Sequence, residues 1–204
     1  SAIGNASAVT IAAPGTLRFN GGALYTQEII GSLSGAGTVT NVGASAVSLT
    51  VSGAASPSFS GTLTNGANAL NLVKNTGTGT LTLSGANSYT GVTTISAGAI
   101  NIQNSSALGT TAAGTTVASG AALELQGNIA VGAESLQLSG TGVGGNGALR
   151  NVADSNSWAG NITLAAASKI QSDTGTLTIS GGVSSTNLGL TVDGLRVELL
   201  AAVG

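Results

Sequence analysis

Apolar and hydroxylated residues alternate along this chain in short runs, and the runs stop at glycine, asparagine or serine. In "GTLTLSG" (79–85), Leu81 and Leu83 fall on one side and Thr80 and Thr82 on the other. That is the two-residue period of a strand with one buried face. The same pattern predicts strands in "GTVTNVG" (37–43), "VSLTVSG" (47–53), "GTLTNG" (61–66), "NALNLV" (68–73), "VTTIS" (92–96) and "AINIQN" (99–104). It continues through "AALELQG" (121–127), "SLQLSG" (135–140), "NITLAA" (161–166), "GTLTISG" (175–181) and "LGLTVDG" (188–194). No helical period lasts beyond a few residues, and glycine interrupts too often for helices to form.

Strands this short and closely spaced suit a sandwich, a barrel, a propeller or a solenoid. Three features select an all-β, right-handed parallel β-solenoid (β-helix). The inward residues are small and aliphatic, as a narrow stacked interior requires. Asn, Ser and Thr recur at the turns, where side chains can stack from coil to coil. Aromatic residues make up only 2% of the chain, too few to fill a sandwich core. At roughly 20 residues per coil and about 4.8 Å between coils, the expectation is roughly ten coils spanning about 50 Å. Residues 1–204 read as one such segment. The pattern starts and stops in mid-course, which predicts a piece of a longer repetitive chain.

The few aromatics are placed non-randomly. Ser-aromatic-x-Gly occurs in "SFSG" (58–61), "SYTG" (88–91) and "SWAG" (157–160). Phe59 with Gly61, Tyr89 with Gly91, and Trp158 with Gly160 therefore mark a repeated structural position between two strands. A strand residue lies six positions before the ring in two copies, Leu83 before Tyr89 and Val152 before Trp158; the first copy, counted from Val51 to Phe59, is longer. Exchange among Phe, Tyr and Trp asks for bulk and apolar surface. The ring is expected to cover a corner of the core with its polar edge wet, rather than to stack on a sugar.

The stretch "GTGTLTLSGANSYTGVTTISAGAINIQNSSALG" (77–109) resembles the autotransporter-associated β-strand repeat, also called the passenger-associated transport repeat. The likeness runs through the Gly-rich lead, Leu-Thr-Leu-Ser-Gly, Asn-x-Tyr-x-Gly, Thr-Thr-Ile, a second strand and Ala-Leu-Gly. The flanks 31–43 and 147–182 are similar to degenerate copies, and the tail from 195 departs from the pattern. The resemblance implies a bacterial surface or secreted protein with a β-solenoid stalk in its passenger region. Complete autotransporters add an outer-membrane barrel. No set of membrane-length alternating segments with aromatic girdles occurs in these residues.

Composition narrows the chemistry. Histidine and cysteine are absent, so Ser-His-Asp and Cys-His catalysis and imidazole or thiolate metal sites are excluded in their usual forms. No cofactor is expected. Only 6% of residues are charged and the net charge is −2, against about a quarter charged in ordinary domains. Arg18, Lys74, Arg150, Lys169 and Arg196 are scattered, which argues against nucleic-acid binding and membrane insertion of this segment. Asp154, Asp173 and Asp193 recur at close to the expected coil length. A carboxylate column for Ca²⁺ or sugar is weighed against three solvated turn residues, and turn chemistry is the simpler account. "GTGVGGNGAL" (140–149) lacks the aspartate of calcium nonapeptides and the Walker lysine, and reads as a turn cluster. Thr-x-Thr pairs at Thr38/Thr40, Thr62/Thr64, Thr80/Thr82 and Thr176/Thr178 are too irregularly spaced to predict an ice-binding face. The expected function is a non-enzymatic, extracellular or cell-surface rod that serves as a stiff stalk or stacks end to end into a fibre, with a polysaccharide-acting enzyme as a lesser reading that the sparse charges do not favour. A glycan- or matrix-binding adhesin surface is the alternative.

Overall fold

The computed structural model describes residues 3–203. Ser1, Ala2 and Gly204, which the single-segment reading takes in, lie outside the described residues. Every alternating run named above contains a strand, and every strand pairing is parallel. There is no α-helix among the described residues; the one helical turn is the 3₁₀ segment Val143–Gly145. The strands stack on three faces. Face A holds Ala8–Ile11, Ser32–Gly35, Ser58–Phe59, Thr80–Leu83, Ala99–Ile102, Ala122–Leu125, Leu149–Asn151, the end of Ile162–Ser172, and Leu190–Gly194. Face C holds Gln27–Ile30, Val47–Val51, Leu70–Lys74, Thr93–Ile95, Thr115–Val117, Leu136–Gly140, the start of Ile162–Ser172, and Val183–Ser184. Face B comes in two pieces: Thr16–Phe19, Thr38–Asn41 and Thr62–Gly66, then Ala130–Val131, Asn156–Trp158, Leu177–Ile179 and Val197–Leu199.

The chain is thus a β-solenoid of about nine turns, slightly fewer than a uniform coil length predicts. Coil length varies along the rod. Thr80 pairs with Ala99 in the next coil, whereas Leu123 pairs with Leu149, a distinctly longer step along the chain. The long coil accommodates the glycine-rich excursion at 140–147, where Gly142, Gly144 and Gly145 take left-handed φ angles that only glycine adopts freely. The tail also finds its place. Val197–Leu199 stacks on Leu177–Ile179, and Val203 bridges to Val183, so residues 195–203 complete the last coil.

Register turns the alternation into columns. On face A, Leu81, Ile100, Leu123, Leu149 and Ile170 align one above another and face inward. On face C the inward column runs Leu49, Leu72, Thr93, Thr115, Leu136 and Ile162. These residues are essentially inaccessible to solvent, and each buried aliphatic side chain stabilises the fold by roughly 1.5–3 kcal/mol relative to exposure. Branched and small residues fill a narrow interior at native density without large voids.

Corners separate the faces, and most are marked by glycine. One is not. In "NITLAAASKIQS" three alanines replace the turn residues, and Ile162–Ser172 passes from face C to face A as a single strand. Its first residues pair with Leu136–Leu138 and its last with Leu149–Asn151 and Leu190–Gly194, joining two faces into one sheet. Elsewhere coils approach too closely for any side chain. A Cβ on Gly61 would run into the Gly37 carbonyl oxygen below it, and one on Gly85 into that of Gly61.

Gly61→Ala is therefore expected to lower stability by about 1–3 kcal/mol or more, since backbone rather than a movable side chain must yield. Ala86→Gly, one residue from the same stack, should cost under ~1 kcal/mol. Chemical denaturation of the two variants checks the difference.

Candidate functional site

The aromatic positions are the natural place to look for a ligand surface, and they are closed. Phe59, Tyr89 and Trp158 are each 0% exposed. All three precede a corner, followed by Gly61, Gly91 and Gly160 respectively, yet they do not occupy one corner. Phe59 ends a face A strand, aligned with Gly35 and Leu83. Tyr89 and Trp158 lie on face B before the turn to face C, Trp158 aligned with Val131 and Ile179. The longer spacing before Phe59 reflects this different edge. Nor is the polar edge wet. The Tyr89 hydroxyl hydrogen-bonds Thr93 Oγ1 at 2.7 Å within the core, and Trp158 Nε1 is buried with no partner among the described residues.

Around Tyr89 side chains supplement a few backbone bonds, in which the Ser88 N–H donates to the Leu63 carbonyl and the Thr110 N–H to that of Tyr89. Face B has no strand between Thr62–Gly66 and Ala130–Val131. Across that gap Asn87, 5% exposed, accepts the Leu63 N–H on Oδ1 at 2.8 Å and donates from Nδ2 to the Ala107 carbonyl at 2.6 Å. Its side chain thus ties the coil before to the coil after, as backbone would in a sheet. Asn65 Oδ1 accepts the Thr90 and Leu70 N–H groups nearby. Asn156 closes the far side, accepting the Ile129 N–H at 2.7 Å, and Asn41 donates to the Ser45 and Ala69 carbonyls. Asn87 and Asn156 satisfy buried backbone groups that would otherwise be costly.

Ionisable groups also enter the interior, which alternation alone does not reveal. Glu28 holds an inward face C position beside Leu49 and binds the Ile3 N–H and the Tyr25 hydroxyl. Lys74 aligns with Val51 and Ile95, is 0% exposed, and donates to the Thr76 carbonyl at 2.8 Å; burial lowers its ammonium pKa. Glu134, at the edge of face C, accepts the Thr115 hydroxyl at 3.0 Å. Burial pushes its carboxyl up, against the opposing effect of that hydrogen bond. Thr93 stacks on Thr115, so Tyr89, Thr93, Thr115 and Glu134 line one polar seam in the core. The signal that could have exposed Glu28 and Lys74 is parity: each occupies the inward register of its strand.

Most of the charges outside the core form pairs rather than a site, and Arg18 and Asp154 stand apart on the surface. Arg150 on face A donates to Glu124 at 3.1 Å and, through Nε at 2.8 Å, to Asp173. Burial alone would raise the Asp173 carboxyl, but hydrogen bonds from Arg150 and Gln171 hold it below its ordinary range. Asp193 pairs with Lys169 at 2.8 Å. The three aspartates form no column: Asp193 aligns with Gln171, Asp154 packs its carbonyl against Gly175, and Asp173 joins Arg150. Among the described residues no three His, Cys, Asp or Glu side chains converge as a metal site. Of the Thr-x-Thr pairs, only Thr38/Thr40 and Thr62/Thr64 stack in register.

The architecture defines a parallel β-solenoid whose side-chain chemistry serves coil stacking. A family model described as Passenger-associated-transport-repeat matches residues 75–102. No curated protein and no solved structure matches the chain. The matched residues span the corner at Asn75, the strand Thr80–Leu83, the Asn87–Tyr89 crossing, Thr93–Ile95 and Ala99–Ile102. They therefore make one full coil plus the first strand of the next. A passenger-associated transport repeat set in a β-solenoid fits an autotransporter passenger-type structural region.

Two outcomes are expected. Asn87→Ala leaves the Leu63 N–H and the Ala107 carbonyl buried without partners and should cost roughly 2–5 kcal/mol, measured by denaturant titration. Glu134 titrates with a raised folded pKa, so the folded state keeps its proton after the unfolded chain has lost it. Its contribution is fully present below the ordinary carboxylate range, near pH ~4, and is lost as pH rises through the folded value. Glu134→Gln retains an acceptor for Thr115. Its melting temperature should match the parent at acid pH and exceed it by a few degrees at neutral pH.

Proposed function

We propose that this chain is a non-catalytic structural rod from the exported passenger region of a bacterial surface or secreted protein. The observation that carries the reading is the parallel coil-to-coil pairing that runs along faces A and C through every turn of the described chain, with the recognised repeat forming one of its rungs. Coils that contact only their neighbours add stability step by step and make a stiff, extended body. Several features support a structural rather than a catalytic role. Histidine and cysteine are absent. Glu28 and Glu134 are buried in contacts within the rod, and Glu124, Asp173, Asp193 and Glu198 pair with cations. The large apolar side chains lie mostly inside the rod.

The partners fitting such a body are further coils. Leu195, Leu200 and Val203 are largely exposed on the last coil. At the first, Ile3, Leu17, Phe19 and Tyr25 line an apolar groove of about 380 Å³. Unpaired strand edges flanked by apolar side chains are templates for another coil, from the same longer chain or from a second copy.

Negative-stain electron microscopy of the purified chain tests the reading. Nine rungs at about 4.8 Å predict rods about 40 Å long, or end-to-end multiples of that length. Globular particles of uniform diameter in all views would sink the proposal. Single rods without multiples would restrict it to a stalk segment and remove the fibre.

A further inference from the structure

Face C differs from the other two. Its charged members, Glu28 and Lys74, point inward and are buried, and Glu134 at its edge is 3% exposed. Its solvent side therefore carries no exposed charge among the described residues, whereas face A presents the Arg150 and Lys169 ion pairs and face B presents Arg18 and the Arg196–Glu198 pair. In register along its outer side stand Thr94, Thr116, Gln137, Thr163 and Ser184. Two shallow grooves follow this column. One of about 300 Å³ is lined by Val92, Thr116, Ser135, Gln137 and Thr163 among others. The other, of about 340 Å³, is lined by Asn161, Thr163, Ser184 and Ala202 among others. Thr163 belongs to both, so the two run together.

Hydrogen-bonding capacity on the Thr94–Gln137 part of this stretch is unused, while further along Thr163 meets Ser184 at 3.4 Å and Asn161 accepts the Gly182 N–H. Earlier on the same face Gln27 donates to Thr50 and Asn71 to Ser48, so side chains there are tied to one another across coils. The side chains of Thr94, Thr116, Ser135 and Gln137 make no hydrogen bond within the described chain. The column repeats at the rung spacing of about 4.8 Å, close to the length of one pyranose ring in an extended sugar chain.

We propose that the trough on face C, from Val92 to Ala202, binds a neutral polysaccharide lying along the rod axis. Sugar hydroxyls bond the free side chains of Thr116, Ser135 and Gln137, and Val92, 46% exposed, meets the apolar face of a ring. Charge decides between occupants. An anionic polymer would find no cation here to neutralise it. A protein partner would need an apolar or aromatic centre, and the accessible apolar side chains of this trough are only Val92, Ala113 and Ala202 among hydroxyls, amides and glycines. The inference adds a ligand surface to the proposed rod and requires only that the coils be folded.

Affinity electrophoresis tests it, with gels containing hydroxyethyl cellulose, laminarin, dextran or galactomannan. The expected result is retardation by at least one of these polymers, insensitive to added salt. Thr116→Ala/Gln137→Ala should weaken it by about tenfold, as the loss of two modest hydrogen bonds implies. Gln137→Lys alone, which keeps the strand and its exposure, should weaken it too; circular dichroism of each variant establishes that the coils remain folded. No retardation by any of the four polymers, or equal retardation of folded variants, overturns the proposal. So does a concentration-dependent dimer that Gln137→Lys dissociates, since that would assign the trough to a second copy. Rods seen by microscopy without any such binding would leave the structural reading intact and remove this one.

Discussion

A coil of this solenoid has no internal hydrogen-bond partner for most of its backbone, and everything else follows from that. Most N–H groups must find a carbonyl in a neighbouring coil, before or after, about 4.8 Å away, so the coils must stay level at every face and every corner. Level corners bring backbone against backbone, which is why Gly37, Gly61 and Gly85 stack where no Cβ fits. Level faces align inward side chains into columns, which is why the interior is built mainly from Leu, Ile, Val and Ala, with Phe59, Tyr89 and Trp158 set beside corners. Coil length varies between the short step from Thr80 to Ala99 and the long one from Leu123 to Leu149. The added length sits in excursions such as 140–147 that leave the ladders untouched.

The same constraint explains how a narrow core tolerates Glu28, Lys74, Glu134 and several asparagines. Corners carry carbonyl and N–H groups that no strand satisfies, and a polar side chain reaching one settles two unsatisfied groups at once. Lys74 ends on the Thr76 carbonyl and Asn41 on those of Ser45 and Ala69. These contacts make the polar residues part of the stacking rather than flaws in it. They also bias the core against neighbours in any other register, because a slipped coil would strand a buried charge.

Period-two alternation made the strands legible, since Leu81 and Leu83 announce their face as soon as Thr80 and Thr82 announce the other. Their order on three faces was less so. Alternation states which side of a strand is buried and says nothing about which face the strand joins. Phe59 and Tyr89 therefore look alike in sequence while standing at different edges of the rod, and only a small difference in spacing separated them. The continuous strand Ile162–Ser172 was hidden for a related reason: alanines carry neither a turn signal nor a strong strand signal. Lys74 escaped because a charged residue is read as solvated unless its parity is followed through its strand, and Glu134 because it stands just outside one. The trough on face C depends on which columns fall side by side, a property of register that no single run contains.

The gap in face B lends the chain its most recognisable stretch. Where strands pair, the ladder is made by peptide groups, which every residue possesses, and many sequences serve equally well. Across the gap Asn87 and Asn65 add side-chain links to the few backbone bonds there, and those links require particular side chains. The repeat spanning 75–102 covers this crossing. A backbone ladder is indifferent to residue identity, whereas this crossing is not: its constraint is written in the side chains themselves, so exchanging Asn87 alters the coil-to-coil linkage where exchanging an outward strand residue leaves it intact.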